Sequence, residues 1–271
     1  MLHHATTHSL PRAPITVGVV SPPSETRLVA LDWESEHFGF SVARLDADGL
    51  GDARVWAELA AARHRGVRLV VLTTVPERLV PPDLLMEFQG TLVDRKATFA
   101  RALAAGPTSL SVNDTDGVAE YQETTVSDAL AALALSAGAY SRFQLDPRFP
   151  RQHFEAMYRL WIERSVRHEI ASAVLVVRAA DLPDGLAGLV TVSVADGTGK
   201  IGLIAVAEPA RGHGVGRRLV AAAHRWMQHN GARRAEVVTQ LANAPACALY
   251  QRSGYSLARV EHYYHLWPLA D

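Results

Sequence analysis

IGLIAVAEPARGHGVGRRLVAAAHRW, residues 201–226, is the stretch on which the rest of the chain turns. Its opening six residues are almost wholly apolar and read as a buried strand. Its second half returns apolar side chains at helical spacing (Leu219, Val220, Ala223, Trp226) with no proline to interrupt them. Between the two, Gly212, Gly214 and Gly216 leave a turn without side-chain bulk at alternate positions. Backbone N–H groups in such a turn can close directly on a ligand. They also lie at a helix N-terminus, where unpaired donors and the positive end of the macrodipole favour phosphate. Arg211 adds charge at the mouth, and the turn is suited to a pyrophosphate.

Spacing then sorts the phosphate ligands. A P-loop would close the turn with Gly-Lys-Ser/Thr, but Gly216 is followed by Arg217 and Arg218. A dinucleotide fingerprint needs G-x-G-x-x-G early in a βαβ unit and an acid about 20 residues on. Here the pattern is G-x-G-x-G, and Glu236 falls in the wrong context. The residues fit Q/R-x-x-G-x-G/A, as Arg211, Gly212, His213, Gly214, Val215 and Gly216. On them the chain resembles the GNAT superfamily of acyl-CoA-dependent N-acetyltransferases, in which this turn carries the coenzyme A pyrophosphate. The resemblance implies acetyl-CoA as co-substrate and no metal. One departure is visible: many family members place Pro where Glu208 stands, and Pro209 follows it here.

Composition excludes other classes. The chain has 271 residues, 48% of them hydrophobic and 20% charged, with a formal net charge of −1. That suits one large or two small soluble domains. No basic excess interleaved with aromatics points to nucleic acid. No apolar run reaches the ~18 residues of a membrane span, and the polar start lacks the apolar core of a signal peptide, so a cytoplasmic protein is expected. Cys247 is the only cysteine, so the fold depends on packing. His3, His4 and His8 lack acidic or sulfur companions and are not taken as a metal site.

Along the chain, residues 1–25 read as a disordered tail rich in Pro, Ser, Thr and His. Residues 26–140 read as a small α/β domain. Strands are expected at 28–31, 40–45, 67–72 and 91–103, with a helix from Asp52, as its cap, to Arg63. Asn113 to Gly117 resembles part of a calcium loop but lacks the distal glutamate, and reads as a turn. Ser127 caps a helix to Ser136. Residues 141–271 follow the GNAT order: a helix over 150–168, strands at 173–178 and 186–195, a hairpin turn at Gly197 and Gly199, and the strand, turn and helix already described. A strand at 235–240, a short helix opened by Asn243, and closing aromatic strands over 255–267 complete it. The expected class is α/β with a mixed sheet, a GNAT fold in the C-terminal half preceded by a smaller α/β domain.

Acetyl transfer to an amine needs donors facing the thioester carbonyl, a neutral amine, and a proton for the departing thiolate. The resemblance implies main-chain N–H groups around Ile204, Ala205 and Val206 for the first. It implies Asn243 as a pantetheine contact and Tyr250 as the acid beside the sulfur. Seven residues are two helical turns, so Asn243 and Tyr250 share a face. A phenol with a pKa of about 10 stays protonated at neutral pH. Cys247 invites an acyl-cysteine scheme, but no neighbouring His activates it, and a lone cysteine is commonly a small buried hydrophobe. The general base stays open among His168, Glu169, Glu120, Glu36 and His265.

WESEHFGFSVARL, RFQLDPRF and VTQLANAPACALYQRSGYSLARVEHYYHLW together resemble the dTDP-fucosamine acetyltransferases, bacterial enzymes that N-acetylate the 4-amino group of dTDP-4-amino-4,6-dideoxy-D-galactose. That likeness implies an acceptor between the two halves. Trp33, Phe38, Arg44 and Arg142 are candidate acceptor contacts; Trp33 and Phe38 read equally as core. Other amines, including peptide N-termini and natural-product amines, stay open, as does a non-catalytic acyl-CoA-binding module. A homodimer through the closing aromatic strand is one arrangement; completion of its own sheet is the other.

Overall fold

The computed structural model describes residues 27–104, 117–180, 182 and 185–268. The tail expected over 1–25 and Asn113 to Asp116 of the expected turn lie outside them.

The first half begins with β1 (Leu28–Ala30), α1 (Asp32–Phe38), β2 (Val42–Asp46), α2 (Asp52–His64) and β3 (Leu69–Thr74), then α3 (Pro82–Glu87) and the long β4 (Thr91–Ala102). Its strands and α2 fall where the sequence places them, within a residue or two. Two helices, α1 and α3, were not anticipated. At α2 the cap position is Gly51 with no side-chain cap, and Asp52 instead sits in the first turn, where its charge favours the helix dipole.

The second half runs β5 (Val118–Glu120), α4 (Asp128–Ala137), α5 (Arg142–Leu145), α6 (Arg151–Val166), β6 (Ala173–Arg178), β7 (Leu186–Ala195) and β8 (Thr198–Val206). It ends with α7 (Val215–His229), β9 (Arg234–Gln240), α8 (Ala244–Arg252) and β10 (Ser256–Leu266). Ser127 caps α4 as its sequence requires, its Oγ accepting from the Leu130 N–H at 3.2 Å. Gly199 belongs to β8 rather than to the hairpin turn: a Cβ there would lie 2.5 Å from the Met227 sulfur, so its absence lets α7 press onto the strand.

The ten strands among the described residues form one mixed sheet in the order β1-β2-β3-β10-β4-β9-β8-β7-β6-β5. The closing residues form one strand, β10, with β3 and β4 hydrogen-bonded on its two sides. It therefore has no free edge to offer another subunit. The strand from the first half, β4, lies between β10 and β9, both from the second half. This interleaving stitches the two halves into one sheet and carries side chains of β4 to the edge of the second half's cleft. Helix α7 buries Leu219, Val220, Ala223 and Met227 against the sheet. On another side Phe38, Phe143, Phe149, Phe154 and Tyr158 pack α1 and α6 together. Among the described residues no helix is long and apolar enough to cross a membrane.

Candidate active site

The site begins where β8 and β9 part. They pair in parallel from Thr198 to Ile201 against Arg234 to Val237, and no further. Opposite that point β7 and β8 slip register between Val190 and Val192, so Gly202 and Leu203 face the single residue Thr191. This is a β-bulge, which bends its strand. Thr191 Oγ1 fills the gap, accepting from the Leu203 N–H at 2.8 Å. Gly202 permits it, since a Cβ would sit 2.7 Å from that oxygen.

Beyond the bulge the Ala207 N–H donates to the Ala187 carbonyl. Antiparallel alternation then places Ala205 in a hydrogen-bonded pair with Leu189 and turns the peptide groups of Ile204 and Val206 away from β7, toward the gap. Of the three amides implied by resemblance, Ile204 and Val206 are free to serve a ligand, and that of Ala205 is engaged by the sheet.

After β8 a 3-10 turn, Glu208–Ala210, accommodates Pro209, and the glycine turn follows. Gly212 and Gly214 have φ of 81° and 78°, the left-handed region that glycine occupies without penalty. Gly214 is the cap residue of α7 and no side chain caps that helix. Its first N–H groups are left to a ligand. Arg211 Nε donates to the Val206 carbonyl at 3.2 Å, which fixes the arginine across the turn. His213 is exposed and lies outside the three chambers described next.

Three chambers follow one another. The outermost, about 750 Å³, lies between the glycine turn and the end of α8 and is lined by Arg211, Gly214, Gly216, Arg217 and Arg252. The second, about 610 Å³, runs between Ile204 to Val206 and α8. It shares Val206, Arg211 and Leu249 with the first. The third, about 270 Å³, lies deepest and shares Ile204, Asn243, Ala246 and Tyr250 with the second.

Tyr250 stands at that inner junction. It is 1% exposed and packs against Phe99 and Tyr255, with ring centroids 5.9 and 5.8 Å away. Burial pushes its phenol well above the ordinary value, so it stays protonated and able to donate. Asn243 Oδ1 accepts from the Ala246 N–H at 3.2 Å and caps α8, which leaves its NH₂ for the groove. Cys247 Sγ donates to the Gln240 carbonyl at 3.6 Å, burial raises its pKa, and it lines none of the chambers.

The deepest chamber is walled by Trp33, Phe143, Tyr158 and Trp161, with Arg142, Asp94 and Glu34 as charged members. Two of the four candidate acceptor contacts, Trp33 and Arg142, are here. The other two are not. Phe38 ends α1 facing inward, 2% exposed, within 4.6 Å of Phe149 and 5.5 Å of Phe143 by ring centroid. Arg44 alternates to the exposed face of β2, away from the cleft.

None of the five groups left open as base lines this chamber. His265 is fully buried and its Nδ1 lies 2.7 Å from Asp146 Oδ2, which also accepts from Trp267 Nε1 at 3.1 Å; this triad locks the end of β10. Glu169 pairs with Arg164, His168 is exposed at the end of α6, and Glu36 is exposed on α1.

The acid that does line the chamber, Asp94, was missed. It is 7% exposed, and burial raises its pKa to about 6 despite the nearby charges of Arg142 and Lys96 and a hydrogen bond with Gln240. A second bulge explains the omission. Tyr263 pairs with Asp94 but Tyr264 pairs with Leu92, so Val93 is the extra residue and both Val93 and Asp94 are buried. The available signal was an acid inside an otherwise strand-forming run.

A splayed parallel strand pair, a bulge and a side-chain-free turn at an uncapped helix N-terminus define a GNAT fold. Residues 139–255 match the model of the Acetyltransferase (GNAT) family, and this part of the chain has the GNAT fold. The chain is 38% identical over 80 residues to the Uncharacterized N-acetyltransferase YobR of Bacillus subtilis (strain 168), a match covering 30% of this chain and 32% of YobR. It thus spans about a third of that relative. Among solved structures, a functionally unknown conserved protein from Staphylococcus epidermidis superposes with a TM-score of 0.59 at 12% identity, over 90% of this chain and 92% of that one. A GCN5-related N-acetyltransferase from Sphaerobacter thermophilus gives 0.52 at 16%, over 84% and 73%. These two likenesses concern the fold.

Proposed function

We propose that the protein is an acetyl-CoA-dependent N-acetyltransferase that passes the acetyl group directly to a primary amine. The observation that carries this reading is the unbroken run of chambers from the glycine turn to Tyr250. Each is lined by what one part of the donor requires. The turn and the first N–H groups of α7, with Arg211 and Arg217, suit a diphosphate. The Ile204 and Val206 amides and the Asn243 NH₂ suit the amide-rich arm that follows it. Bound there, acetyl-CoA supplies an acetyl group activated as a thioester. A free β8 amide stabilises charge on the thioester oxygen, and Tyr250 donates its proton toward the sulfur. The buried hydroxyl is a donor at every physiological pH.

The resemblance to dTDP-fucosamine acetyltransferases extends the reading to a dTDP-linked 4-amino sugar. A chamber of about 270 Å³ falls just below the ~300–1,000 Å³ typical of ligand pockets. It would take the sugar and leave the nucleotide outside. A thiol-release assay with acetyl-CoA against dTDP-amino sugars, free amines and short peptides tests both levels. Release of coenzyme A dependent on an amine supports the activity. Turnover of peptides or small amines with none of sugar nucleotides rejects the sugar.

A further inference from the structure

We infer that the acceptor is a small amino acid: a primary amine bearing its own carboxylate, with Asp94 taking the amine and Arg142 the carboxylate. This rests on the N-acetyltransferase reading, names a substrate class for it, and stands as the alternative to the sugar-nucleotide acceptor.

Two charged groups of opposite sign line the deepest chamber without satisfying each other. Asp94 Oδ1 and Arg142 Nε are both buried with no hydrogen-bond partner among the described residues. No ion pair joins Asp94 to Arg142, although each feels the other's charge. Leaving such groups unpaired is costly, and a cognate ligand that completes them removes the cost. Arg142 is held in place by rings instead: its guanidinium carbon lies 4.3 Å from the Phe143 centroid and 5.2 Å from that of Tyr263. Cation–π contacts leave the guanidinium edge open to a planar carboxylate.

Charge and size narrow the ligand further. Glu34 adds a second carboxylate to the wall, so the chamber holds two acids and one arginine. That sum opposes drawing a diphosphate inside but accepts a zwitterion. Trp33, Tyr158 and Trp161 supply apolar walls for a side chain.

The chemistry balances with these residues alone. The acceptor ammonium gives one proton to Asp94, which passes it to solvent. The freed nitrogen pair forms the C–N bond as the C–S bond breaks, and the pair left on sulfur takes the Tyr250 proton. The second N–H proton returns to the phenolate through solvent. The products are the N-acetyl amino acid, coenzyme A thiol and one proton.

The test compares amino acids with the amines that lack only the carboxylate, for example phenylalanine with phenethylamine and alanine with ethylamine. The wild-type enzyme is expected to favour the carboxylate-bearing member by about 10-fold or more in kcat/KM, the scale of a charge-assisted hydrogen bond. Arg142→Met is expected to erase that preference through KM, and Arg142→Lys to restore part of it. Asp94→Asn is expected to lower kcat/KM for both members while acetyl-CoA binding, followed by calorimetry, stays unchanged. Equal turnover of the two members by wild type overturns the inference. So does a saturable acetyl-CoA complex that acetylates no amino acid, or an Arg142→Met variant that loses both members equally. Failure to bind acetyl-CoA at all counts instead against the N-acetyltransferase reading.

Discussion

The groove proposed for the donor and the chamber proposed for the acceptor meet at Tyr250 but are built from different materials. The track is mostly backbone: two glycines at positive φ, an uncapped helix end and two outward amides of β8. The chamber is mostly side chain, drawn from α1, β4, α4, α5, α6, β8, β9 and α8. Backbone sites depend on a short contiguous sequence and suit a ligand part common to many reactions. Side-chain sites depend on tertiary assembly and can change acceptor without disturbing the donor.

The sharpest break of this comparison is at the junction. Tyr250→Phe is expected to lower kcat by about 10²–10⁴ while leaving acetyl-CoA affinity within a few-fold, read by thiol release beside calorimetry. Turnover near wild type would remove the phenol from the chemistry and leave only the two binding regions.

Next in size, the chamber and the core packed against α7 should respond to pH in opposite directions. Asp94 titrates near 6 when folded against 3.8 when free, so the folded state holds a proton that the unfolded chain releases. The contribution of this group is full below pH 4 and is lost as pH rises through 6, by about 3 kcal/mol at 1.36 kcal/mol per unit. Arg142, Lys96 and Gln240 surround that carboxyl and already moderate it. On the buried face of α7, burial drives His224 from 6.5 down to about 4, with Arg101 and Arg225 adding to the shift. Its neutral ring shares a 2.8 Å hydrogen bond with the Tyr255 hydroxyl. Its contribution is therefore full above pH 6.5 and lost as pH falls toward 4, again by about 3 kcal/mol. Urea unfolding at pH 4 and pH 7 checks both. Relative to wild type, Asp94→Asn should gain on going to pH 7, and His224→Gln should lose. Parallel responses would contradict the assignment.

Smaller effects separate the backbone site from its supports. Gly214→Val places a side chain at φ of 78°, costing about 1–2 kcal/mol, and should weaken acetyl-CoA binding about 10-fold with little change in acceptor KM. Asn243→Ala removes the α8 cap at about 1 kcal/mol, seen as a lower unfolding midpoint and a modest rise in the KM for acetyl-CoA.

The same contrast explains what could be read from the sequence. The strand, glycine turn and helix of 201–226 obey local rules and were legible from them, whereas Asn243 and Tyr250 stood out through the family resemblance, with which their spacing agrees. Strand-forming residues also marked β4 as a strand, but nothing local said that it would lie between β10 and β9. Without that placement Asp94 could not be brought to the cleft, and the bulge at Val93 hides its facing from a period-two count. Phe38 and Arg44 fail for the converse reason. They sit close in sequence to Trp33, yet helix and strand geometry turn one into the core and the other to solvent.

The most direct measurement is calorimetric titration of acetyl-CoA into the wild-type chain and into Gly214→Val. A single saturable site per chain, weakened about 10-fold by the substitution, is the expected result. Absence of saturation in the wild type, or equal affinity in the two proteins, would contradict a donor site built on the bare turn.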